Sequence, residues 1–149
     1  MRYRQIVEHV QKIAGFKAPE DAQKAISAVS EALAERLSGG LMRKVASQLP
    51  KEISSVMDSV PRHEVFGLQE FFNLVAGKLG TAPAEAMHHA EAVLAVLQDA
   101  APVEIWEQVY PELDPEYRKF IDSSAVTGKR EGFLIGRVRK SLGRSDKTF

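Results

Sequence analysis

The densest group of side chains able to do chemistry lies at Glu85, His88, His89 and Glu91. On a helix, Glu85 and His88 stand at i, i+3, the spacing with which helical bundles present carboxylate and imidazole ligands to a metal. Such a site needs further carboxylates from facing helices. The positions 64 residues earlier hold Asp21, Lys24, Ala25 and Ser27, so the ligand set has no second copy, and His88 fits better at the edge of an apolar seam. Ser38-Gly39-Gly40 offers backbone N–H groups of the kind that cradle phosphate at a helix N-terminus. No strand precedes it and no Gly-Lys-Ser/Thr follows, so it reads as a turn between helices. Ser47, Ser54, Ser55, Ser123 and Ser124 sit in no nucleophile elbow, and His9, His63, His88 and His89 fit no triad order. The chain reads as non-catalytic, with no metal and no cofactor.

Charge is the better lead. From Gly128 to Phe149 seven Lys/Arg stand against two acidic residues, a net of +5; the remaining 13 basic and 18 acidic residues give −5. If Glu131–Leu142 is helical, Phe133, Leu134, Val138 and Leu142 make an apolar edge beside Arg130, Arg137, Arg139 and Lys140. Gly136 weakens that helix by roughly 1 kcal/mol relative to alanine. These eight residues are the expected binding surface, for a protein partner, a second copy of the chain, or the acidic body itself. Nucleic acid or an anionic surface is the alternative occupant, with little aromatic content to support it beyond Phe133 and Phe149. A small-molecule pocket between the two halves of the chain is a third reading.

The elements that must position these groups come from a repeat. Residues Pro19–Met57 align without a gap on Pro83–Ile121, sharing Pro19/Pro83, Ala22/Ala86, Ala28/Ala92, Val29/Val93, Leu33/Leu97, Val45/Val109, Leu49/Leu113 and Glu52/Glu116. A repeat of this length points to a duplicated helical unit whose copies cover each other's apolar faces. The first helix is expected from Arg2 to Ala14, with Ile6, Val7, Val10 and Ile13 on one stripe and Gly15 as its stop. Its counterpart runs over Leu68–Leu79 and stops at Gly80. Pro19 and Pro83 open the longest helices, where a missing N–H costs nothing. Two short helices follow in each copy, after Ser38-Gly39-Gly40 and after Ala101-Pro102, and Asp114-Pro115-Glu116 reads as a helix start. Trp106 takes the slot of Met42 and is expected in the core.

The fold expected is therefore all-α: a helical bundle of two pseudo-symmetric repeats (1–57 and 67–122) joined by a linker (58–66), with a basic C-terminal helix and tail (123–149), the repeats forming one compact domain. The 149 residues include no cysteine, which excludes disulfides and thiol chemistry and fits a reducing cytoplasm. No run approaches the roughly 20 apolar residues of a membrane span.

The phrases Leu33-Ala34-Glu35-Arg36-Leu37-Ser38-Gly39-Gly40 and Gln48-Leu49-Pro50-Lys51-Glu52 resemble the bacterial domain-of-unknown-function family 2267. The resemblance covers Met1–Asp122 and is weaker in the second copy, where Ala101-Pro102 replaces the glycines and Asp114 the proline. It implies a bacterial, all-helical, duplicated domain and brings no catalytic residues with it.

Overall fold

Ile6, Val7, Val10 and Ile13 are all buried on one face of α1 (Tyr3–Ala14). Gly15 ends this helix at φ +77°, a left-handed conformation that suits glycine, and its N–H donates to the Gln11 carbonyl at 2.9 Å. The chain, seen in a computed structural model, is described over residues 1–125. Helix α2 (Pro19–Arg36) opens on its proline with Glu20 and Asp21 in the first turn, where carboxylates complement the helix dipole. Two short helices follow, α3 (Gly39–Ala46) and α4 (Lys51–Asp58). Helix α5 (Leu68–Leu79) closes on Gly80 at φ +70°. Helix α6 (Pro83–Ala100), α7 (Val103–Val109), a 3-10 turn at Tyr110–Glu112 and α8 (Pro115–Ala125) complete the order. The described residues are all-α and include no strand.

The starts of α2 and α6, of α3 and α7, and of α4 and α8 each lie 64 residues apart. Helices α2 and α6 run together at the centre, and both α1 and α5 pack on each of them. Helix α4 lies on α2, α8 on α6, and α3 meets α7. Buried Ala22, Ala25, Ala28 and Ala32 on α2, with Ala86, Ala90 and Ala92 on α6, keep the central side chains small where helices meet. One continuous apolar cluster runs through all these elements.

One detail differs from expectation. The 3-10 turn after α7 contains Pro111, whose ring removes an N–H from any longer helix. Helix α8 extends to Ala125. The helix expected at Glu131–Leu142 lies outside the described residues.

Ser30 is fully buried on α2 and its Oγ has no hydrogen-bond partner; Leu94 holds the position 64 residues on. An unpaired buried polar group costs about 1–3 kcal/mol. Ser30→Ala should therefore raise the thermal unfolding midpoint by several degrees, and a lowered midpoint would show that the hydroxyl is bonded in solution.

Candidate functional site

Arg36 ends α2 between Leu33 and Leu37, and it is only 4% exposed. A guanidinium taken out of water must find acceptors. Its Nε donates to the Phe66 carbonyl at 2.8 Å, and its Nη2 lies 3.5 Å from Asp114 Oδ1. The guanidinium also stands over the Tyr117 ring, 5.4 Å from the centroid. The Tyr117 hydroxyl donates in turn to the carbonyls of Phe66 (2.8 Å) and Gly67 (3.0 Å). Burial pushes the Tyr117 phenol well above its ordinary pKa of 10.0, although the Arg36 charge pulls the other way.

The linker that Arg36 grips also caps the helix that carries Arg36. The last carbonyls of a helix have no partner within it. The His63 ring donates through Nδ1 to the Ala34 carbonyl at 2.8 Å, and the Glu64 N–H donates to the Glu35 carbonyl at 2.7 Å. At the linker's other end Glu116 Oε2 accepts the Leu68 N–H at 2.9 Å, at the start of α5. A β-carbon on Gly67 would come within 3.1 Å of that oxygen, so glycine permits the close approach.

Fixed along this path, the linker borders a groove of about 400 Å³ lined by Glu35, Arg62, Glu64, Phe66, Glu70 and Leu74. Phe66 and Leu74 are half-buried and give it an apolar part; Val65, between two lining residues, is 81% exposed. Arg62 sits 3.6 Å from Glu64, while Lys78 reaches Glu31 at 2.8 Å and Glu35 at 3.5 Å. Partial burial works against the Lys78 charge, but hydrogen bonds to Glu31 and Glu35 and their charges leave its pKa raised above 10.5. Glu31, Glu35, Glu64 and Glu70 against Arg62 and Lys78 leave the groove net negative. The groove thus combines a small apolar patch with a rim of carboxylates.

The sequence-derived candidates lie elsewhere. Glu85 and His88 are exposed, Glu91 is half-buried, and His89 packs its ring on Phe16 at 4.8 Å between centroids. Among the described residues no three His, Asp or Glu side chains converge as metal ligands. Burial lowers the His89 pKa below 6.5; Glu85 and Asp21 oppose this and His88 adds to it. Ser38 gives both its N–H and its hydroxyl to the Glu112 carboxylate, at 3.0 and 2.7 Å, so these two donors are met by the chain's own anion. Trp106 is 2% exposed and lies in the core. Arg130, Phe133, Leu134, Arg137, Val138, Arg139, Lys140 and Leu142 lie outside the described residues.

The clasp of Arg36, Asp114 and Tyr117 escaped the sequence reading. Its trace was the repeat's asymmetry: Ala100 stands at the position matching Arg36, and Ile53 at the one matching Tyr117. A charge and a phenol had replaced apolar residues on otherwise matching seams.

Residues 3–120 match the family model described as an uncharacterized conserved protein (DUF2267). No curated protein matches the chain.

Tyr117→Phe should cost about 1–2 kcal/mol, since Gly67 loses a donor while Phe66 keeps Arg36. It should also flatten the alkaline loss of stability. A phenol with a raised folded pKa stabilises fully below pH 10.0, and that contribution fades as pH rises, because the unfolded chain loses the proton first. Urea unfolding between pH 8 and 11 measures both effects; an unchanged slope in the variant counts against the clasp. On the acid side the sign reverses. His89, with a lowered pKa, contributes stability above pH 6.5 that is lost as pH falls through its folded pKa, so His89→Gln should reduce that fall in the same assay from pH 7 to 5.

Proposed function

The chain thus belongs to the uncharacterized conserved protein family DUF2267, and on that premise we propose that it works by binding rather than by chemistry, as a protein-interaction module. The groove beside the linker is the docking surface, and its ligand is a basic, amphipathic polypeptide segment. One observation carries this reading: Phe66 and Leu74 stand together with Glu35, Glu64 and Glu70 in a groove whose backbone is held by a buried clasp. A surface whose backbone is already fixed loses little entropy when a segment docks on it. The carboxylates speed encounter and select for positive charge, while the apolar residues supply area to be removed from water.

A helical peptide of lysine and leucine, titrated into the full chain and followed by anisotropy, tests the reading. Glu64→Lys with Glu70→Lys should weaken binding at least tenfold at low salt. The same change in net charge at Glu104 and Glu107, exposed on α7 away from the groove, should alter it by less than threefold. Equal losses from both pairs would reduce the effect to overall charge and overturn the groove as the site.

A further inference from the structure

Resting on the groove reading above, we infer that its resident occupant is the chain's own C-terminal segment, residues 129–142, bound in cis. The groove would then be closed to other basic segments until the tail is released.

Three observations meet here. Charge comes first: the described residues carry a net −5, and the rest of the chain carries +5, with Lys129, Arg130, Arg137, Arg139 and Lys140 against Glu131 in this segment alone. Apolar chemistry comes second, because the basic segment carries the apolar pair Phe133 and Leu134 and the groove wall carries Phe66 and Leu74. Reach comes third. Helix α8 starts at the groove's edge, where Tyr117 holds Phe66 and Glu116 holds Leu68. From Tyr117 to Ala125 a helix advances about 12 Å, at roughly 1.5 Å per residue. From Ala125 to Phe133 an extended chain covers up to about 27 Å, at roughly 3.4 Å per residue. Phe133 can therefore return to Phe66 with chain to spare.

Tethering makes this docking favourable even if the segment binds weakly. A segment tethered through a short connection experiences an effective concentration on the order of millimolar. A free competitor must exceed that concentration relative to its own affinity before it displaces the tail. The consequence is a self-masked surface, opened by whatever weakens the tail: salt, or a partner that takes the basic segment.

The chain lacks cysteine, so Ser141→Cys gives a single attachment point for a nitroxide on the full-length protein. Amide signals of Val65, Glu70 and Leu74 should then broaden strongly. Those at Glu20 and Asp21, about 20 Å away at the other end of α2, should broaden least. The pattern should vanish with Glu64→Lys and Glu70→Lys, and Phe133→Ala with Leu134→Ala should raise affinity for the lysine–leucine peptide several-fold. Broadening of isotope-labelled, unmodified chains mixed with nitroxide-bearing ones would mean exchange between copies and overturn docking in cis. Broadening centred on another face, or none near the groove, would also overturn it. The peptide titration, repeated on the chain carrying Phe133→Ala with Leu134→Ala so that the tail's apolar contact no longer competes, keeps the two readings apart: if it singles out Glu64 and Glu70 while the broadening pattern is absent, the groove stands and only its occupant is wrong.

Discussion

Everything around the linker depends on where the positive charge of Arg36 can go. A guanidinium that is 4% exposed stays charged and must be surrounded by acceptors. The carbonyl of Phe66, the carboxylate of Asp114 and the face of Tyr117 meet that demand from two elements distant in sequence. Removing one partner from such a set is more costly than never having built it, because the charge remains buried. The end of α2, the path of the linker and the first turn of α8 are thus parts of one solution.

That solution leaves an asymmetric molecule. The central helices α2 and α6 are flanked alike by α1 and α5, and their boundaries recur at a fixed interval. The Arg36 clasp does not recur at the end of α6, where Ala100 stands at the matching position and Gln98 donates instead to the Tyr110 hydroxyl. On the α2 side the turn after the helix is held by Glu112, the linker by Arg36 and Tyr117, and the last carbonyls by His63 and Glu64. The groove lies beside these anchors, where the chain was already held away from the apolar core.

Helices were legible in the sequence because their signals are local. Apolar stripes at helical spacing, prolines at the starts of α2 and α6, and glycines at 15 and 80 marked boundaries that recur in the fold almost residue for residue. Side-chain partnerships were not legible, because they join residues far apart in the chain, from 29 positions for His63 and Ala34 to 81 for Arg36 and Tyr117, and nothing in a single chain announces such pairs. Neither Arg36 nor Glu112 stood out by residue type or spacing. The histidine pair drew attention for its residue types, yet His89 meets an aromatic ring rather than a convergent set of ligands.

The capping of α2 by the linker also bears on how the two halves find each other. Two halves with similar apolar faces invite domain swapping, in which one half packs on the matching half of another chain. Here His63 and Glu64 are bonded to the helix that precedes them by fewer than thirty residues, and Phe66 is held by the same helix. The connection is folded back on its own first half before α5 begins. The direction in which the second half leaves the first is thereby set by α2.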